Sequence, residues 1–271
     1  MIYWLLLAAL FLLALLLIWL LILVRPGKRK AVPSQLLTDY AHRGLHDDRV
    51  PENSLAAFRQ AAENGYGIEL DLQLSADREV MVFHDYTLER MTGEKGKLSE
   101  CTAGSLRAMH LLNKDGSITE QTIPTLREVL DTVDGRVPLL IELKGESTDT
   151  ALCPAADEIL RQYTGAYCVE SFNPMLLAWY KQNRCDICRG QLYTDVYREK
   201  GKSVLNLLLS AMALNVLSRP HFIAYNFKYR NKIPVRTASG LFGAHRFIWT
   251  VRSEAERGRA NENMIFENIQ P

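Results

Sequence analysis

The sequence predicts an α/β protein, a TIM-like (β/α)8 barrel preceded by one N-terminal transmembrane helix. Three observations predict it. The first 24 residues carry no charge. The rest of the chain alternates short strand-like runs with amphipathic helical stretches, the pattern of βα units around a parallel sheet. Two of the strand-like runs put carboxylates on one face and aliphatic side chains on the other, which suits the inner and outer faces of a closed barrel.

Composition supports a globular fold. Of 271 residues, 48% are hydrophobic and 23% charged, with only 16 Gly and 10 Pro, which excludes disordered, collagenous and low-complexity chains. The five scattered Cys make no disulfide framework. A net charge of +1 argues against nucleic acid as a partner. Nothing in the sequence points to a protein partner.

Residues 1–24 are dominated by Leu, Ala and Ile. At about 1.5 Å per residue such a run crosses a hydrocarbon core of about 30 Å. Trp4 and Trp19 lie near its ends, where interfacial aromatics are favoured. A cleaved signal peptide is the alternative. The missing basic start, the length of the run and the missing small-residue cleavage site favour a retained anchor. Arg25, Lys28, Arg29 and Lys30 follow, so the positive-inside rule predicts a single-pass protein of the cell membrane with its main domain in the cytoplasm. These bases also suit anionic headgroups, which makes membrane lipid an expected partner of residues 1–30. Residues 25–37 read as a basic juxtamembrane linker, and 38–271 as the barrel domain.

Eight strand-like runs follow: Tyr40–His42, Gly67–Leu74, Val80–His84, Leu139–Lys144, Ala166–Phe172, Cys185–Tyr193, Phe222–Phe227 and Phe247–Val251. Helical spacing marks Ser54–Asn64, where Gly65 ends the helix, and Thr125–Val133, Ala151–Tyr163 and Pro174–Gln182. Val204–Leu217 is an unusually apolar helical stretch, either an outer barrel helix or a helix lying against a bilayer. A last, polar helix is expected around Ser253–Asn263. A doubly wound open sheet is the alternative fold. No Gly-rich phosphate loop follows the first strand, which counts against a nucleotide-binding version.

The chemistry lies on alternate residues. In Ile68–Leu74 the aliphatic residues share one face, and Glu69, Asp71 and Gln73 share the other. Carboxylates packed side by side repel one another and lose hydration, and a divalent cation offsets that cost. In Leu139–Lys144, Glu142 and Lys144 share a face. Glu69, Asp71 and Glu142 thus offer hard oxygen ligands to Mg²⁺ or Ca²⁺, and Lys144 a charge to an anionic ligand. His42 and His84 each end a strand-like run just before a turn, where barrel active sites lie, and two imidazoles there supply a base and an acid. Arg43 offers a planar fork of donors for phosphate oxygens, and Gly44 permits the turn. Trp249 stands at a strand end, where it is expected to form an apolar wall of the site. Glu170 stands at another strand end. Cys185 and Cys188 form an isolated Cys-x-x-Cys without a second pair.

These residues, in order and spacing, resemble the glycerophosphodiester phosphodiesterase family. The resemblance is carried by His42-Arg43-Gly44, Pro51-Glu52-Asn53-Ser54, Glu69-Leu70-Asp71 and Val82-Phe83-His84-Asp85. It extends through Leu88–Gly93, Ile123–Leu126, Ile141–Lys144 and Trp249-Thr250-Val251. It implies hydrolysis of glycerophosphodiesters to glycerol 3-phosphate and an alcohol. It implies His42 and His84 as general base and acid, Glu69, Asp71 and Glu142 as metal ligands, Arg43 and Lys144 near the phosphate, and Glu52 and Asn53 at the site edge. It also implies that the glycerol 2-hydroxyl attacks first, giving a cyclic phosphate that water opens. Arg252 and the ending Met264–Pro271 depart from the family's usual residues. Two alternatives use the same site: lysophospholipase D-type action on lysolipids, and a catalytically lapsed barrel that binds a phosphorylated ligand at the membrane.

Overall fold

The computed structural model describes residues 2–27, 32–145, 147–258 and 262–269. Its strands are β1 (Tyr40–Ala41), β2 (Gly67–Leu74), β3 (Val80–Val82), β4 (His110–Leu112), β5 (Ile118–Thr122), β6 (Leu139–Leu143), β7 (Tyr167–Ser171), β8 (Arg189–Tyr193), β9 (Phe222–Asn226), β10 (His245–Val251) and β11 (Asn263–Phe266). β1, β2 and β6 to β11 are parallel neighbours. β1 pairs with β2 through Tyr40 and Gly67, and with β11 through Tyr40 and Ile265, so the sheet closes into an eight-stranded barrel. Gly67 permits this closure: a Cβ there would lie 2.7 Å from the Tyr40 ring.

The barrel has eight strands as expected, but one member differs. Val80–His84 is not a barrel stave. Its strand spans only Val80–Val82 and folds back antiparallel on β2, with Leu72 opposite Val82. The tight turn through Ser75 and left-handed Arg78 returns the chain at once, and no crossover helix intervenes. The eighth stave is β11, from the atypical C-terminal ending. The segment between β3 and β6 carries the β4–β5 hairpin over its own small core of Met81, Phe83, Leu88, Leu98, Leu106, Leu111 and Ile123. The run read from Cys185 becomes strand only at Arg189; Cys185 is exposed and Cys188 buried.

Outward-facing Ile68, Leu70, Leu72, Leu139, Ile141 and Leu143 meet apolar side chains of the surrounding helices, such as Phe58, Leu126 and Val129. Three of the surrounding helices start where the sequence supplies a cap. Ser54 accepts from the Ala57 N–H ahead of Leu55–Glu63, Thr125 and Glu128 form a capping box ahead of Leu126–Val133, and Asn173 precedes Pro174–Asn183 with proline at its start.

Inward-facing residues change character along the staves. Tyr40, Leu140, Cys168, Phe222, Phe247 and Ile265 fill the N-terminal half of the barrel, with Leu36 packed beneath them. Two residues further along, β1, β6, β7, β10 and β11 lead to His42, Glu142, Glu170, Trp249 and Glu267, so polar groups gather at the C-terminal mouth above an apolar plug.

Ile2–Leu23 is one 22-residue apolar helix, fully unburied across Ile2–Ile18. Its last turn is held by the barrel. The Trp19 indole donates to the Ala211 carbonyl (2.8 Å), Arg219 donates to the Ile22 and Arg25 carbonyls (2.8 Å each), and Val24 is buried in the outer core. Lys28, Arg29 and Lys30 of the expected basic cluster lie outside the described residues. Val204–Leu217 breaks into Val204–Ser210 and Asn215–Ser218, with left-handed Met212 between them. The polar helix expected over Ser253–Asn263 is a single turn, Glu254–Arg257.

Candidate active site

Three carboxylates converge at the barrel mouth. Asp71 on β2 lies directly opposite Glu142 on β6, and Glu69 sits one inward position earlier on β2. One oxygen from each of Glu69, Asp71 and Glu142 falls within a 4.8 Å group, and all three are buried. Burial first, then the charges of Asp71 and Glu142, pushes the Glu69 carboxyl well above its ordinary range. Burial opposes ionisation of Asp71 too, but Lys144, His84 and Arg43 outweigh it and hold Asp71 ionised. The Lys144 ammonium bridges Asp71 (2.8 Å) and Glu142 (2.9 Å). Burial alone would lower its proton affinity, and those two carboxylates raise it.

This donor set fits a hard divalent cation. Besides the three carboxylates it offers the Asn53 Oδ1, which is buried without a hydrogen-bond partner, while the Asn53 amide donates to Asp71 Oδ2 at 2.8 Å. Asn53 therefore stands beside the carboxylates. Its φ of +54° is a left-handed conformation that Asn tolerates.

Arg43 and Gly44 turn the chain at the end of β1 through two left-handed residues, φ +56° and +82°. A Cβ on Gly44 would lie 2.8 Å from that of Ala57, so glycine is needed both for the turn and for the packing. The turn aims the Arg43 backbone N–H at Glu69 Oε2 (2.9 Å) and its guanidinium at Glu52 (2.7 Å) and Asp71 (3.5 Å). Glu52 points to arginines. It accepts from Arg90 at 2.6 and 3.0 Å as well as from Arg43, and Arg90 continues to Asp85 at 2.5 Å.

The two imidazoles line the same cavity of about 140 Å³, with Arg43, Lys144, Glu170, Phe172, Trp249 and Arg252 among its walls. His42 Nδ1 lies 3.2 Å from Glu267, and its Nε2 is 4.0 Å from Glu69. Burial, with the nearby Arg43 charge, holds the His42 pKa down at about 4. Burial works against ionisation of Glu267, but the hydrogen bond and charge of His42, helped by Arg252, bring its pKa to about 2. His84 Nδ1 is 2.6 Å from Asp85. The Trp249 indole donates to the Ala224 carbonyl (2.9 Å) and meets Phe172 edge to face at 5.7 Å, so an aromatic corner forms one wall.

His42, Arg43, Glu69, His84, Glu142, Lys144 and Trp249 all line one cavity, and Asp71 and Asn53 lie directly beneath it. Glu52 lies behind Arg43. Sequence reasoning missed Glu267, Arg252, Asp85 and Arg90. Alternation within Met264–Glu267 was the available signal for Glu267, since it shares a strand face with Ile265. Glu170 is fully buried, faces the cavity, and its Oε2 has no partner.

Comparison with known proteins agrees with this geometry. The family described as "Glycerophosphoryl diester phosphodiesterase family" matches residues 42–265. Glycerophosphodiester phosphodiesterase 1 of Bos taurus is 37% identical over 164 residues, covering 57% of this chain and 47% of that protein. A glycerophosphodiester phosphodiesterase of Caldanaerobacter subterraneus is 34% identical over 162 residues, covering 56% of this chain and 65% of that one. The matches thus span from about half to just under two thirds of these relatives. The structure of glycerophosphodiester phosphodiesterase from Thermotoga maritima superposes with a TM-score of 0.63 at 25% identity, covering 85% of this chain and 94% of that one. An Oleispira antarctica phosphodiesterase, solved with its product sn-glycerol-3-phosphate, shares the fold with a TM-score of 0.69 at 23% identity, covering 86% and 93%.

Proposed function

The chain belongs to the glycerophosphoryl diester phosphodiesterase family, and from that premise we propose that it is a membrane-tethered, divalent-metal-dependent hydrolase of glycerophosphodiesters, releasing glycerol 3-phosphate and an alcohol. The observation that carries this reading is the meeting of three buried carboxylates and two imidazoles at one cavity.

Glu69, Asp71 and Glu142 would hold one Mg²⁺ or Ca²⁺, which when bound neutralises charge on phosphate oxygens. Arg43 and Lys144 donate to those oxygens from the cavity wall. His42 is the base, because its low pKa leaves it unprotonated at neutral pH. It takes the proton of the glycerol 2-hydroxyl as that oxygen bonds to phosphorus. The P–O bond to the alcohol breaks, and His84 protonates the departing oxygen. Asp85 fixes the His84 ring through Nδ1, leaving the other nitrogen for the cavity. Water then opens the cyclic phosphate with the histidine roles reversed. An internal hydroxyl avoids the entropy of recruiting water for the first step. Trp249 and Phe172 wall the glycerol or alcohol group. Glu52 positions Arg43, and Asn53 orients Asp71.

In this reading residues 1–24 are the anchor, 25–37 the juxtamembrane linker and 38–271 the catalytic domain, and the basic residues after the helix support a cytoplasmic position for it. Burial of Val24 in the outer core supports retention of the helix. Lysolipid as substrate is a second reading, favoured by apolar side chains left exposed on Val204–Ser210 beside the anchor.

The test is release of glycerol 3-phosphate from soluble glycerophosphodiesters, and of lysophosphatidic acid from lysolipids, by full-length protein in detergent, with Mg²⁺, Ca²⁺ or chelator. Metal-dependent release that His42→Ala abolishes is expected. Absence of release from every diester overturns the proposal and favours a lapsed, phospho-ligand-binding barrel.

A further inference from the structure

We propose that Val204–Ser210 and the turn at Leu241 form a second membrane contact, a patch that seats in the headgroup layer of an anionic bilayer and lays the barrel on its flank. This rests on reading residues 1–24 as a membrane anchor.

The patch is apolar and open. Val204, Leu205 and Leu207 are 75%, 58% and 53% exposed, and Leu208 is exposed with them. Nearby Ile233 and Leu241 are 70% and 62% exposed. Outside the N-terminal helix, few large apolar side chains of the described residues are as open.

Its depth follows from the helix that it adjoins. Leu207 and Ala211 stand one helical turn apart, and the Ala211 carbonyl accepts from the Trp19 indole. Asn215 donates to the Val24 carbonyl, and Arg25 lies over the Phe242 ring at 5.7 Å. The spanning helix is therefore gripped between the Ala211–Arg219 segment and the Leu241–Phe242 turn. The grip at Trp19 lies inside the apolar run, about 7 Å before its end at Val24, by a helical rise of about 1.5 Å per residue. Interfacial helices bury their apolar faces about 5–10 Å into the boundary between headgroups and acyl chains. Ala211 is thus held at that depth, and the leucines one turn before it are held close to it.

Charge complements the position. Exposed Lys200 and Lys202 precede the leucines, exposed Lys228 and Arg236 flank Ile233, and exposed Arg198 is paired with Asp195 at 3.3 Å. The neighbouring acid Glu199 is engaged by Thr194 and Tyr229. Bases beside an inserted apolar face match anionic headgroups, at about 1 kcal/mol each near the surface. Since Thr194 follows β8 at the barrel mouth and His221 precedes β9 at its base, this flank runs the length of the barrel and brings the rim of the site to the bilayer surface.

The test uses the full-length chain with Cys101→Ser and Cys185→Ser, leaving only buried cysteines among the native set. Single additions, Leu205→Cys, Leu208→Cys, Leu10→Cys or Ile118→Cys, carry a nitrobenzoxadiazole label in vesicles of phosphatidylethanolamine and phosphatidylglycerol. Ile118 is 75% exposed on the β4–β5 hairpin across the barrel, and Leu10 lies mid-helix. Labels at 205 and 208 are expected to be quenched by lipid-borne doxyl groups and at least threefold less by iodide than the label at 118. Replacing phosphatidylglycerol with phosphatidylcholine is expected to cut doxyl quenching at 205 and 208 at least twofold, leaving position 10 unchanged. Iodide quenching at 205 and 208 equal to that at 118, with position 10 still lipid-exposed, overturns the patch and spares the anchor. Iodide quenching at position 10 overturns both.

Discussion

His42 and Glu267 lie 3.2 Å apart across the seam that closes the barrel, one at the end of the first stave and the other just past the last. The carboxylate both orients the imidazole and raises its proton affinity against burial. Removing that charge moves His42 titration below about pH 4 and weakens it as a base. Glu267→Gln is therefore expected to lower kcat by about 10–100-fold and to shift the acid limb of the rate profile to lower pH, with KM little changed. A pH–rate series on both proteins checks this. An acid limb that stays in place with unchanged kcat separates Glu267 from the chemistry.

Asn53 reaches Asp71 Oδ2 at 2.8 Å from a left-handed backbone. Asn53→Gly keeps that backbone accessible and removes only the amide. Loss of a group that orients a metal ligand typically costs about 10–100-fold in affinity or activity. Calcium or magnesium titration by calorimetry is expected to show this loss, and an unchanged affinity would remove Asn53 from the metal site.

Bringing Glu69, Asp71 and Glu142 within one 4.8 Å group leaves a concentration of negative charge that a bound cation relieves. Saturating Mg²⁺ or Ca²⁺ at about 100-fold over Kd stabilises the fold by about 2.7 kcal/mol. In a chain of this size that raises Tm by about 5–10 °C. Thermal melts with metal and with chelator measure it. Glu142→Gln is expected to abolish most of the shift; a shift that survives locates the cation elsewhere.

Glu170 is 1% exposed, and burial, then the charges of Glu69, Glu142 and Asp71, raises its pKa well above the ordinary value. A raised carboxyl pKa weakens the fold as pH climbs above the unfolded value of about 4.5, because the unfolded chain then releases a proton that the folded one keeps. Glu170→Gln lacks that penalty. In chelator its Tm is expected to match that of the parent near pH 4 and exceed it at pH 7. A gap that does not grow with pH means Glu170 ionises normally.

Much of this site was legible in the sequence. Backbone geometry makes side chains alternate along a strand, so Glu69 with Asp71, and Glu142 with Lys144, had to share faces, and the aliphatic residues between them identified which face met the helices. The apolar run 2–23 likewise declared its helix through length and composition. Both are local properties of a few consecutive residues.

Pairing between distant segments was decided only in three dimensions. Val80–Val82 has the same apolar, strand-like appearance as a stave, yet it folds back on β2, while Asn263–Phe266, most of it from the atypical ending Met264–Pro271, closes the barrel against Tyr40. Glu267 meets His42 across 225 residues of chain, and Trp19 meets Ala211 across 192. Such contacts depend on which edges meet when the sheet curls and on which apolar surfaces remain to be covered. Neither is written in the periodicity of either segment alone, because one strand presents the same two faces whatever neighbour it finds.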